Sequence, residues 1–200
     1  MKKIIAVFLI LMLACGTAFA EDAVTSATLK MEKLPEVEAK DNGYLVVYFS
    51  PDDTNRAAAY AIASALSAEL YEIEPVEPYT EDDLNYRDNQ SRSMTEMRDS
   101  QSRPGIARMP EDLSPYQTII LCYPIWGGQA PRIIATFLEG TDLSGKTIIP
   151  FATSNSSGIG SSDKTLQALT GETVQWQEGI GIRKGTTEED IRLWVESLIH

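Results

Sequence analysis

Histidine and cysteine are nearly missing from this 200-residue chain: one histidine, His200, closes it, and its two cysteines, Cys15 and Cys122, lie far apart. With the only imidazole at the last residue, neither a Ser-His-Asp arrangement nor a histidine metal cluster of any strength can be built. The serines at 154, 156, 157, 161 and 162 therefore lack a base partner, and no catalytic side chain and no metal ligand set is expected. Basic residues are scarce too, 17 Lys and Arg against 29 Asp and Glu, for a formal net charge of −12. That balance argues against nucleic acid or an anionic membrane surface as partner and suits a basic protein partner, although acidity also serves simply to keep a chain in solution. The longest apolar run at the start, Ile4 to Ala14, falls well short of the roughly twenty residues a bilayer-spanning helix needs.

That short run has another meaning. Met1-Lys2-Lys3, an apolar stretch and Ala18-Phe19-Ala20 before Glu21 form the positive, apolar and small-residue parts of an export signal, residues 1–20. Two readings stand: cleavage after Ala20, giving a periplasmic or extracellular protein, or lipid attachment at Cys15 after Met12-Leu13-Ala14. Loss of Lys2 and Lys3 would take the charge to −14. Cys122 would then be the only thiol, which excludes an intrachain disulfide, and its place in an apolar run predicts a buried, inert group. Residues 21–42, rich in Glu, Lys, Ala and Thr, read as a flexible linker ending at Asp41-Asn42-Gly43, and residues 43–200 as one domain.

Within the domain, three apolar runs each end in a polar turn. Tyr44–Phe49 precedes Ser50-Pro51-Asp52-Asp53-Thr54-Asn55; Thr118–Tyr123 precedes Pro124-Ile125-Trp126-Gly127-Gly128; Thr147–Ala152 precedes Thr153-Ser154 and, further on, Ser157-Gly158-Ile159-Gly160. Continuous apolar runs alternating with helical patterns predict parallel strands buried on both faces. Leu70–Glu74 and Thr173–Gln177 alternate instead, which marks strands at the rims of a sheet. Helices are predicted over Arg56–Glu69, from Pro131 onward, over 161–169, and from Thr187 with an apolar stripe of Ile191, Trp194, Val195 and Leu198. The fold class is α/β: a three-layer, doubly wound, five-stranded parallel sheet in the order 2-1-3-4-5. A ligand site is expected beyond the carboxyl ends of the first, third and fourth strands. Between the second and third strands, residues 76–114 carry Arg87, Arg92, Arg98, Arg103 and Arg108, either to cover one edge of that site or to balance nearby carboxylates.

Val46-Val47-Tyr48-Phe49-Ser50, Tyr123-Pro124-Ile125-Trp126-Gly127, Ile149–Ser154 and Ser157-Gly158-Ile159-Gly160 together resemble the flavodoxin-like proteins, most closely the bacterial short-chain flavodoxin-type domains. The resemblance covers roughly residues 43–199 and implies noncovalent FMN and electron transfer with a protein or quinone partner. Ser50, Thr54 and Asn55 would then meet the phosphate at a helix N-terminus. Pro124, Ile125, Trp126 and Gly127 would hold one side of the ring, the indole stacking on it. Thr153, Ser154, Ser157 and Gly158 would hold its pyrimidine edge. Each residue also has a purely structural reading: Ser50, Thr54 or Asn55 as a helix cap worth about 1 kcal/mol, Trp126 as a rim residue.

One departure from the family pattern matters. The Thr-Gly-Asn-Thr type of phosphate turn is replaced by Asp52-Asp53-Thr54-Asn55. At about 5 Å and an effective dielectric near 20, each unit-charge pair of carboxylate and phosphate costs roughly 3 kcal/mol, more than capping donors of about 1 kcal/mol each offset. Two further functions therefore stay open: a non-redox binding module in which Asp52 or Asp53 fills the phosphate site, and an FMN-dependent NAD(P)H or quinone reductase.

Overall fold

A computed structural model describes residue 34 and residues 36–51, 53–154, 158–183 and 186–199, with only the backbone at Asp53. The export signal, most of residues 21–42, the Asp52 and Asp53 side chains, Ser157 and His200 lie outside the described residues.

The three apolar runs are β1 (Tyr44–Tyr48), β3 (Thr118–Pro124) and β4 (Thr147–Ser154), and the first rim strand is β2 (Glu69–Glu72). All pair in parallel, in the order β2-β1-β3-β4, with Val46 opposite Ile120 and Ile120 opposite Ile149. Side chains alternate between the sheet's faces, so each central strand feeds two cores. Leu45, Val47, Ile119, Leu121, Tyr123 and Ile148 pack on one face against Ile133, Ile134 and Phe137 of α3 (Arg132–Gly140) and Leu166 of α4 (Ser162–Gln167). Val46, Tyr48, Ile120, Cys122, Ile149 and Phe151 pack on the other against Ala58, Ile62 and Leu66 of α1 (Asp53–Leu66) and Ile191 and Val195 of α5 (Glu188–Leu198). This is the three-layer doubly wound architecture the alternation predicts.

The fifth position of the sheet differs from the expected single strand. It is shared by β5 (Gln175–Trp176), beside Thr147 and Ile148, and β6 (Ile180–Arg183), beside Phe151 to Ser154. The break falls at Gly179, where an added Cβ would overlap the Pro150 carbonyl oxygen, so the chain crosses β4 too closely for any side chain. Helix boundaries shift as well. α1 starts at Asp53 and stops at Leu66, the chain leaving through Ser67 at φ 51°, a left-handed position usually given to glycine. Pro131 is the N-cap of α3 and not its first helical residue. Thr187 caps α5: its hydroxyl accepts from Asp190 N at 3.2 Å while the Asp190 carboxylate accepts from Thr187 N at 2.8 Å. Near the linker's end, Lys40 N and Asn42 Nδ2 donate to the carbonyls of Ser67 and Leu66 at 2.8 and 2.7 Å, tying those residues to α1.

The long polar segment contains α2 (Arg92–Arg98). Two of its arginines pair with carboxylates: Arg92 with Glu96 of the same helix at 2.7 Å and Arg103 with Glu139 of α3 at 2.6 Å. Among the described residues no helix is long and apolar enough to cross a membrane.

Candidate functional site

Parallel pairing in register sets the carboxyl ends of β1, β3 and β4 side by side, so the three turns meet at one rim. Backbone bonds stitch them there: Phe49 N donates to Cys122 O at 3.0 Å, and Ile125 N to Thr153 O at 2.8 Å.

In the first turn, Ser50 Oγ accepts from Arg56 N at 2.9 Å, closing one backbone amide of the first turns of α1. Asn55 is fully buried, and its Nδ2 donates to Phe49 O at 2.8 Å. Because a carbonyl can only accept, that bond fixes which way the amide points. Asn55 Oδ1, on the same carbon, has no partner among the described residues. Asn55 thus offers the turn an acceptor where the sequence suggested a donor. Thr54, half-buried, lies in the first turn of α1. The Arg56 guanidinium is held at 2.7 Å by Glu72, which also accepts from Tyr48 Oη at 2.8 Å.

The second turn is a tight hairpin. Trp126 and Gln129 exchange N–H···O bonds at 2.9 and 3.0 Å, with Gly127 and Gly128 at φ 54° and 84° between them. Two consecutive positive φ values are the signature of a type I′ turn, which glycine alone adopts without strain. A Cβ on either glycine would meet nothing within 4 Å, so backbone shape and not crowding within the protein selects them. The turn lifts a half-buried Trp126 onto the rim. Phe49 and Tyr79 touch the indole nearly at right angles, with centroids 5.8 and 5.4 Å away. Among the described residues no ring lies parallel to it. Pro124 is buried at the end of β3, and Ile125 packs beside the core under the indole's turn.

Gln129 spans to the third turn, its Nε2 meeting Ser161 Oγ at 3.0 Å; its buried Oε1, like Asn55 Oδ1, has no partner among the described residues. Ser162 Oγ donates to Ile159 O at 2.7 Å, which leaves Tyr123 Oη to donate to Ser162 Oγ at 3.0 Å. Burial pushes the Tyr123 phenol well above its usual range. Thr153 is buried opposite Pro124, Ser154 ends β4 opposite Arg183, and Gly158 is buried at φ 62°. A Cβ at Gly181 would overlap Ile159 N and Gly158, so the third turn docks directly on the backbone of β6.

Tyr79 was not legible as a site residue. It reaches the indole from the polar segment, with the Arg92 guanidinium 4.1 Å from its ring centre and its hydroxyl donating to Glu96 at 2.6 Å. Burial and then the Glu96 carboxylate raise its phenol far above the ordinary range. Gln129 was missed as well. It stood inside the Trp126 motif, but no pattern in a sequence marks an acceptor that folding leaves without a donor. Cys122 lies buried inside β3, and burial alone pushes its thiol up, in keeping with an inert group.

The sheet's opposite rim holds a cavity of about 450 Å³ lined by Asp112, Leu113, Asp142 and Lys146 among others. Its polar groups answer one another. The buried Lys146 Nζ donates to Leu113 O and Tyr116 O at 2.6 and 2.7 Å, and Asp112 and Asp142 accept from Ser114 N and Ser144 N at 2.7 and 3.0 Å.

Residues 43–198 match the flavodoxin family model. Two solved structures assigned as flavoproteins, from Bacteroides eggerthii and Bacteroides uniformis, are 41% and 42% identical to the chain, each with a TM-score of 0.72. Each covers 78% of this chain, and the match takes in 98% and 99% of theirs. A Lactobacillus acidophilus flavoprotein in complex with FMN shares the fold at 19% identity and a TM-score of 0.58, over 68% of this chain and 90% of that one. A comparison with curated proteins finds no match. A family match over 43–198, on a parallel sheet ordered 2-1-3-4-5, places the chain in the flavodoxin family.

Proposed function

We propose that this protein binds a flavin noncovalently with the ring against Trp126 and carries electrons, FMN being the flavin that the family resemblance implies. One observation carries the reading: a half-buried indole on a rigid glycine turn, at the rim where the three turns meet. A flat ring stacks favourably on such a face. One end of the Gln129 amide in the same turn has no partner among the described residues, and a flavin's imide edge, which carries both N–H and C=O, would answer it whichever way the amide is turned.

The bound flavin would supply the redox chemistry, and the protein its position and surroundings. Phe49 and Tyr79 hold the indole from the side, and the Arg92–Glu96 pair holds Tyr79. The FMN-bound Lactobacillus relative supports the reading by fold. The leader-like residues 1–20 support placing this activity outside the membrane, with a basic redox protein as partner for the acidic surface. The ring end of FMN fits the residues present. Its phosphate end fits less well, because the first turn carries two acids in sequence, Asp52 and Asp53.

Adding the protein to FMN, riboflavin or lumiflavin should quench flavin fluorescence and shift the visible bands, and Trp126→Ala should remove both effects. If all three flavins stay unchanged, the alternative of a non-redox binding module, which the Asn55 acceptor favours, replaces this one.

A further inference from the structure

We infer that Arg183 tunes the flavin site, favouring the reduced, anionic ring over the oxidised, neutral one. This rests on the flavin reading above and adds which redox state the chain favours. The route to Arg183 starts at the broken edge of the sheet. Because β6 is separate from β5, it runs beside Phe151 to Ser154 and ends at the carboxyl-terminal rim, with Arg183 opposite Ser154. Ile180 and Ile182 pack into the core shared with α1 and α5, so alternation turns Gly181 and Arg183 toward the other face of the sheet. The third turn lies there. Gly181 makes room for it by having no side chain, since a Cβ would overlap Ile159 N and Gly158. Two residues on, the Arg183 guanidinium comes against the same turn: a Cβ on Gly158 would stand 3.9 Å from its Nη2.

Its charge is uncommitted. Among the described residues the Arg183 guanidinium forms no ion pair and no hydrogen bond. Arginines of the neighbouring elements are engaged: Arg56 by Glu72 at 2.7 Å, Arg92 by Glu96 at 2.7 Å, Arg132 by the Met97 carbonyl at 2.8 Å. The Arg183 backbone is fixed at both ends, its N–H donating to Thr186 Oγ1 at 3.3 Å and its carbonyl accepting from Thr186 N at 3.1 Å. At neutral pH a fully reduced flavin carries its negative charge on the pyrimidine side of the ring. The family resemblance sets that side against Thr153, Ser154, Ser157 and Gly158. An unpaired cation beside this turn stabilises the anion and does little for the neutral ring. Arg183 is exposed, so water and salt hold the effect to a few-fold.

The test measures both redox states, with FMN and riboflavin in parallel. Fluorescence titration gives the affinity for oxidised flavin. Anaerobic equilibration of the loaded protein with a reference dye gives the midpoint potential, and the two together give the affinity for reduced flavin. Arg183→Gln should weaken binding of reduced flavin about fivefold and change oxidised binding by less than about twofold, so that the midpoint potential falls. Arg183→Lys keeps the charge and should stay closer to wild type than to Arg183→Gln. The difference between wild type and Arg183→Gln should shrink as salt rises, since the attraction is screened. Equal weakening of both redox states would mark a packing contact only and overturns the inference, as does an unchanged potential in Arg183→Gln; in both cases flavin still binds and the flavin reading survives. Failure of the wild-type protein to bind either flavin removes the flavin reading and this inference together.

Discussion

The two rims of the sheet make an instructive contrast. The amino-terminal rim has a cavity of about 450 Å³ and a buried lysine. Yet its polar atoms are answered from within: Lys146 by two carbonyls, Asp112 and Asp142 by the Ser114 and Ser144 amides. The carboxyl-terminal rim carries two buried amide oxygens with no donor among the described residues, and an indole on a glycine hairpin. A rim whose groups satisfy one another is built for stability. On the proposed function, the unanswered amide groups of the carboxyl-terminal rim are where a ligand's polar groups would go.

The contrast breaks most visibly at Gly181. Gly181→Ala drives a Cβ into the backbone of Gly158 and Ile159, so a loss of about 3 kcal/mol or more is expected, together with loss of flavin binding because the third turn moves. A urea midpoint within experimental error of wild type would refute the docking described.

Lys146→Met tests the other rim. It removes two charge-assisted bonds and strands the carbonyls of Leu113 and Tyr116, for an expected destabilisation of about 3 kcal/mol. Flavin affinity should stay within about twofold of wild type, a small fraction of the 1.4 kcal/mol that a tenfold change represents. A large loss of binding would mean the rims are coupled.

Trp126→Ala should do the reverse. It should weaken flavin binding by about 2 kcal/mol, roughly thirtyfold, with a smaller effect on the urea midpoint because the indole is only half-buried. Equal affinity in a fluorescence titration would remove the indole from the site.

The smallest effect separates the rims by pH. Hydrogen bonds from the backbone N–H and then the hydroxyl of Ser114 hold the Asp112 carboxyl below its ordinary value; those of Ser144 do the same for Asp142. A carboxyl depressed in the folded state contributes stability above its unfolded value, near 3.8, and loses it as pH falls through the lower folded value. Thermal melts of Asp112→Asn with Asp142→Asn should therefore lie slightly below wild type at pH 6, and the gap should narrow as pH falls below about 3.8. A constant gap across that range would contradict the assignment.

Much of the architecture could be read directly. The runs at 44–49, 118–123 and 147–152 fall on β1, β3 and β4 because a strand buried on both faces must be apolar throughout, and few other structures make that demand. The last helix was readable from Thr187 and its acids because a capping box is a local device. The split of the outer strand into β5 and β6 was not. It depends on Gly179 passing over Pro150, a contact between residues 29 positions apart. The edge order was readable from alternation at 70–74, but α1 ends at Leu66 and not at Glu69, since Ala68 N bonds Ala63 O and turns the chain into β2.

Residue types and their spacing settled the layered fold, the rim where the turns meet and the indole at position 126, since these follow from local periodicity and turn chemistry. Which polar atoms at that rim are left without partners was decided only when the chain closed on itself. Asn55 and Gln129 have the same composition on paper as any satisfied amide. Phe49 O and Ser161 Oγ accept from their N–H groups, and among the described residues nothing donates to their oxygens. Hydrogen-bond satisfaction is a property of neighbours in space, and those neighbours come from different strands and turns.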